Sequence, residues 1–220
     1  MASQVAHIVY AKKYFQKLET LNSKKLVDEE NILNLENKLN KDEFILGCIF
    51  PDIRTIDKNI NRSDTHSKFF SIDLDFEGLS SFEAGWKFHL YCDMKREEIL
   101  NKYNFYDLEN AKDFFNRPAK FLEDELIYDD YNNWEKISSL FRNPPYMKTE
   151  LNITQETVNL WYAIIAKYFE QKPNNKSIRI FLSKLRNLTE KVDGIMEFIT
   201  KLKTNRKAVE ILGKVKEEIV

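Results

Sequence analysis

Apolar residues recur every three or four positions along nearly the whole chain, which is the spacing of helices that bury one face. From 4 to 20, Val5, Ile8, Val9, Ala11, Tyr14, Phe15 and Leu18 form one broad stripe. A weaker pattern over 29–40 uses Ile32, Leu33, Leu35 and Leu39. The run DEFILGCIF at 42–50 is short enough for a strand, but Asp42 and Glu43 at its start suit a buried helical turn, ended by Pro51-Asp52. Residues 53–78 are polar and irregular, and a stretch of that length inside a domain is a place to look for function.

A strong helix is predicted from about Ser80 to Tyr103, with Ser80 or Ser81 as cap and Glu83 in the first turn. Helical spacing continues over 107–117. Pro118 then opens another helix through FLEDELIYDDY, since proline is tolerated in a first turn. After a helix at 133–141, Asn143-Pro144-Pro145 makes the best internal boundary. Helices near 154–171, 175–186, 188–203 and 205–218 complete the chain, Thr154 capping the first of them. The fold class expected is all-α: a multi-helix bundle with residues 1–142 as one region and 143–220 packed into the same domain.

Composition sharpens this picture in a few places. The 220 residues hold only 5 glycines, which argues against glycine-rich phosphate loops and turn-rich barrels. Lys+Arg 34 against Asp+Glu 35 gives a net charge of −1, so wholesale polyanion binding is not expected. The charge is uneven, however. Residues 151–220 carry 13 Lys/Arg and 8 Asp/Glu, either as solvated faces of amphipathic helices or as a surface for a phosphate-rich partner. Cys48 and Cys92 sit among apolar neighbours and read as buried thiols. Lys12 and Lys13 interrupt the N-terminal apolar stretch before a signal peptide develops, and no run is long enough to span a bilayer. A cytoplasmic setting is expected.

With 3 histidines in the chain, any imidazole chemistry has few places to sit. His89 and Asp93 are four apart in GWKFHLYCD, so on a helix they share a face. That spacing serves either two ligands of one divalent ion or a plain His–Asp hydrogen bond. Gly85, one turn earlier, marks a close approach on the same face. Asp52 follows an apolar run stopped by proline, where a turn-forming Asp is the simpler role. His66 ends the polar segment. His7 lies on or beside the apolar face of the first helix, where a core histidine is the ordinary outcome.

Taken in order, His7, FILGCIFPD with Asp52, Thr65-His66, and GWKFHLYCD with His89 and Asp93 resemble the zinc-dependent phospholipase C superfamily, whose small helical members include single-strand-specific nucleases. Phe44, Gly47, Pro51 and Asp52 match an F-x-x-G-x-x-x-P-D element. Gly85, His89 and Asp93 match a G-x-x-x-H-x-x-x-D helix. The resemblance covers about residues 1–95. It implies that Asp52, His66, His89 and Asp93 surround one zinc, with Asp93 bridging to a second ion that His7 helps hold. Asp52 could instead serve as general base.

The chain departs from the family in lacking histidines after His89 and in placing Met94-Lys95-Arg96 after Asp93. Among the acids of FLEDELIYDDY, Asp124 or Glu125 is the best substitute ligand. The stripe of Phe121, Leu122, Leu126 and Ile127 instead points most of these acids to solvent. Arg54 and Arg62 are candidate phosphate contacts. Phe114, Phe115, Trp134, Phe141, Trp161, Tyr162 and Phe169 are expected in the core. The expected function is a metal-dependent hydrolase of phosphodiesters or phosphomonoesters, using one or two Zn²⁺ ions or another divalent metal, with no stable nucleic-acid binding. The alternative is a non-catalytic helical domain, with a structural metal or none, that binds a partner through its C-terminal helices.

Overall fold

The computed structural model describes residues 3–23, 39–147 and 149–220. Among them there is no strand, and ten α-helices joined by 3-10 turns make up the architecture. The protein is all-α, as its periodicity implies. The helix expected over 29–40 lies outside the described residues, apart from buried Leu39 and the cap residue Asn40.

Three helices define the half that carries the motifs. Helix α1 spans Gln4–Ser23, α2 spans Lys41–Ile49, and α4 spans Ser81–Lys102, with the short α3 at Arg62–His66 between the last two. Asn40 caps α2 by accepting from the Asp42 and Glu43 amides at 3.0 and 3.1 Å. Ser80 and Glu83 form the reciprocal capping box that starts α4. The stripe predicted for α1 is buried from Val5 to Phe15.

Helix α2 crosses α4 at two glycines. A Cβ added to Gly47 would overlap the Phe82 carbonyl and stand 2.9 Å from the Trp86 nitrogen. A Cβ added to Gly85 would overlap the Phe44 carbonyl and stand 3.0 Å from the Cys48 nitrogen. Each backbone therefore occupies the space where the other helix would carry a side chain. The distance between packed helices is set by the side chains at the contact, and at these two positions there are none.

The C-terminus of α2 is tied down just as closely. Pro51 follows immediately and ends the helix in a 3-10 turn at Phe50–Thr55, so its last carbonyls need outside donors. Tyr162 Oη donates to the Leu46 carbonyl at 2.8 Å, and Trp161 Nε1 to the Ile49 carbonyl at 3.1 Å. His89 Nδ1 lies 2.8 Å from the Cys48 carbonyl. Trp161 and Tyr162 belong to α7, Gln155–Phe169, so the C-terminal half closes the end of a motif helix.

The remaining helices are α5 at Arg117–Ile127, α6 at Trp134–Arg142, α8 at Asn175–Lys184, α9 at Val192–Thr204 and α10 at Arg206–Glu218. Helix α5 packs on α1, α9 and α10; α10 also packs on α4; and α6 pairs with α7. Residues on both sides of Pro144-Pro145 share one hydrophobic core. Cys48 and Cys92 are buried free thiols. No helix of the described residues is long and apolar enough to cross a membrane.

Several expectations need correction. Residues 107–117 do not continue as α-helix; they form turns and short 3-10 segments. Phe114, Phe115 and Asn116 all adopt left-handed backbone, with φ of 50°, 56° and 61°. That conformation costs about 1–2 kcal/mol per non-glycine residue. It turns Phe115 out to 83% exposure instead of into the core. On α5 the acids are not mostly solvated, because Glu123 and Asp124 are fully buried while Leu126 is exposed. The buried arc of α5 is wider than its apolar stripe because α1, α9 and α10 all pack on it.

The crossing can be tested against a glycine that touches nothing. Gly85→Ala is expected to destabilise the protein by about 3 kcal/mol in urea unfolding. Gly213→Ala in mid-α10, where an added Cβ meets nothing within 4 Å, should stabilise by about 0.5–1 kcal/mol. Equal effects at the two positions would contradict the close crossing.

Candidate metal centre

Gly85 and His89 are one helical turn apart, as are His89 and Asp93, so the face of α4 that touches α2 also carries the chemistry. His89 is fully buried, and its Nδ1 is occupied by the Cys48 carbonyl. That carbonyl can only accept, so Nδ1 carries the proton and the lone pair of His89 sits on Nε2. A backbone carbonyl that fixes the tautomer in this way is a recurring support for a metal-binding histidine.

His66 reaches the same place through α3. Trp86 Nε1, next to Gly85 on α4, donates to the Thr65 carbonyl at 2.7 Å and holds α3 against α4. The Thr65 hydroxyl lies 2.8 Å from His66 Nδ1, which again leaves Nε2 facing inward. His7 arrives on α1 and stacks on His89, with ring centroids 3.9 Å apart and planes 16° from parallel.

The Nε2 atoms of His7, His66 and His89 are all buried, and none has a hydrogen-bond partner among the described residues. They stand 3.6, 3.8 and 3.7 Å from the carboxylate of Asp93. These separations are too long for hydrogen bonds. Two ligands bound to one tetrahedral ion at about 2.0–2.1 Å stand roughly 3.4 Å apart, close to what is seen. Leaving a buried polar atom unsatisfied costs about 1–3 kcal/mol, so three converging ones need a common explanation. Two overlapping sets have all their ligand atoms within 4.8 Å of one another: His7, His89 and Asp93, and Asp52, His66 and His89.

Asp52 lies in the 3-10 turn after α2 and is buried. Gln4 Nε2 donates to its Oδ2 at 2.8 Å, and Arg54 Nη2 lies 3.4 Å from its Oδ1. Burial alone would raise its pKa, but His89, Arg54 and His66 outweigh that and hold the carboxyl below the usual range. Asp93 is likewise held well below the usual range against its burial, with His89 and His7 contributing. Burial pushes His66 down to about 4 and His89 down to about 3, so both imidazoles are neutral and able to ligate at neutral pH. Neutral imidazoles beside ionised carboxylates are the donor set that zinc takes.

All five sequence-predicted ligands therefore come together. Asp124 does not join them. It accepts from the Ser3 hydroxyl, from the Ala6 amide at 3.0 Å and from Tyr168 Oη at 3.0 Å, and so caps the start of α1. Burial raises its pKa to about 7. Glu125 pairs with Lys203 instead. Arg96, the cation close behind Asp93, is fully buried and donates from Nε to Glu123 at 2.6 Å, while Tyr10 Oη donates to the same carboxylate. Glu123 thus neutralises the charge that looked out of place beside a metal ligand.

A cavity of about 360 Å³ opens on Gln4 and Asp52, with Arg54 and Arg62 in its wall. Two others, of about 430 and 490 Å³, lie between α7 and α8 and around Phe82 and Tyr146, and neither holds a residue of the cluster. Sequence reasoning missed Gln4, although it sits one turn before His7 on the same helix. It also missed Lys120, whose pKa burial lowers to about 8 and which lines the same cavity.

Comparison of the chain with protein-family models, with curated proteins and with solved structures finds no match.

Zinc or manganese added to chelator-treated protein at a hundredfold excess over Kd should stabilise it by about 2.7 kcal/mol, or roughly 5–10 °C in Tm. The gain should vanish in His66→Ala and His89→Ala. No shift, or a shift that survives both substitutions, would count against a metal at this cluster.

Proposed function

We propose that the protein is a divalent-metal-dependent phosphoesterase on a phospholipase C-like helical scaffold, with His7, Asp52, His66, His89 and Asp93 as its metal-binding set. The observation that carries this is the convergence of three unpartnered, buried Nε2 atoms beside Asp93. The order of the motifs over residues 1–95 supports the scaffold.

The residues divide the work. His89 has one nitrogen to offer because Nδ1 is committed to Cys48, so the two ligand sets that share it serve one ion through His89. A second ion, if held, would rest on His7 and the other oxygen of Asp93. When bound, zinc supplies Lewis acidity: it lowers the pKa of a water and offsets charge on phosphoryl oxygens. Asp52, at the cavity edge, is suited to ligation and to orienting water. Gln4 and Arg54 both favour its charged form, which makes it a weak base for removing a proton. Arg54 and Arg62 line the cavity where a phosphate ester would enter, and guanidinium geometry matches its oxygens.

Metal-loaded protein should hydrolyse bis-p-nitrophenyl phosphate or p-nitrophenyl phosphate, and chelated protein should not. Asp52→Asn, which removes a charged ligand, is expected to lower activity by about 10–100-fold or more. If metal is bound stoichiometrically and neither substrate turns over, the metal is structural and the non-catalytic alternative stands.

A further inference from the structure

The cavity beside Asp52 is walled by cations from separate parts of the chain. Arg117 and Lys120 come from the start of α5, and Arg186 and Lys191 from the segment between α8 and α9. Arg54, in the turn after α2, and Arg62, which opens α3, line the same cavity. Asp52 is the one carboxylate among the described residues that line the cavity. A protein with a net charge of −1 thus gathers six cations and one acid around a single concavity. Such a wall focuses a positive field where a substrate enters.

Several cations elsewhere have carboxylate partners, among them Lys102 with Glu218, Lys136 with Asp42, Lys172 with Asp129 and Lys203 with Glu125. The four on the far wall do not pair with a carboxylate among the described residues. Arg117 touches the Phe114 carbonyl at 3.4 Å and lies over the Phe115 ring. Arg186 donates to the Asp57 carbonyl at 2.8 Å, and its own amide donates to the Thr55 carbonyl at 2.8 Å, which pins the segment carrying it against the turn after Asp52.

A reacting phosphate at the His/Asp cluster has Arg54 beside it already. Four further cations provide for charge that a simple monoester does not carry. We propose that Arg117, Lys120, Arg186 and Lys191 hold a second, non-reacting phosphate group, and that the substrate is a small organic di- or triphosphate. This rests on the phosphoesterase proposal for the adjoining cluster. The cavity's apolar wall is Ile60, Trp161, Phe181 and Leu185, and its volume of about 360 Å³ is that of a small-molecule site. Phe115 stands exposed at the rim, where its ring offers a face to the organic portion. A bounded, half-apolar pocket favours a small polyphosphate over an extended nucleic-acid strand.

Binding to chelator-treated protein tests this without metal chemistry, by calorimetry with orthophosphate, pyrophosphate and tripolyphosphate. Tripolyphosphate should bind at least tenfold more tightly than orthophosphate. Lys120→Gln combined with Arg186→Gln should remove that preference, and Lys191→Gln, at an exposed position, should weaken it alone. Equal affinities, or a preference untouched in every variant, would overturn the assignment. So would displacement of tripolyphosphate by an equimolar single-stranded oligonucleotide, which would indicate a strand-binding groove instead. Wild-type turnover of p-nitrophenyl phosphate with metal is measured separately, so the pocket and the phosphoesterase proposal can fail independently.

Discussion

The contact at Gly47 and Gly85 is the constraint on which the remainder depends. Two helices can approach until backbone meets backbone only where neither carries a Cβ, and each glycine faces the other helix's main chain. That approach sets the Cys48 carbonyl against His89 one turn further along α4, which selects the tautomer and aims Nε2 inward. It also delivers Asp52, in the 3-10 turn after α2, to the same end of the crossing. Pro51 ends the helical ladder there, and α4 and α7 supply side-chain donors to the Cys48, Leu46 and Ile49 carbonyls. Packing, helix termination and the orientation of a candidate ligand share one cause.

Charge inside the core is arranged around that cluster in matched sets. Glu123 neutralises Arg96 and accepts from Tyr10, while Asp124 caps α1. Two adjacent acids of α5 therefore fix the helices that bear Asp93 and His7. Their own donors satisfy them, and neither is left to compete for an ion. By contrast, the three imidazoles keep inward nitrogens that the protein does not satisfy. A chain that satisfies its other buried carboxylates so fully has a reason to leave those nitrogens open, and a bound cation is one.

The helices and the cluster were legible in the sequence for different reasons. Amphipathic spacing is a local property, and it located α1, α4, α5 and the C-terminal helices within a few residues. His7, Asp52, His66, His89 and Asp93 could be picked out because few histidines were available and each fell on a motif position. What could not be read depends on neighbours distant in sequence. Glu123 and Asp124 look like solvent-facing acids until α1 and α4 supply Tyr10, Ser3 and Arg96 as partners. The left-handed run at Phe114–Asn116 breaks an otherwise helical pattern, and it is held by tertiary packing of Phe114 on Gly194 and Phe198. Arg186 and Lys191 resemble ordinary solvated cations, because only the folded chain brings them across from Asp52.

On the reading proposed above, the open nitrogens of His66 and His89 share one ion with Asp93, and His7 serves a second position beside it. Anomalous diffraction at the zinc edge, from crystals grown with zinc, addresses this most directly. A strong peak is expected about 2.0–2.2 Å from His66 Nε2, His89 Nε2 and an oxygen of Asp93. A cluster whose nitrogens are instead occupied by water or by one another, with zinc bound only elsewhere on the surface, would contradict it.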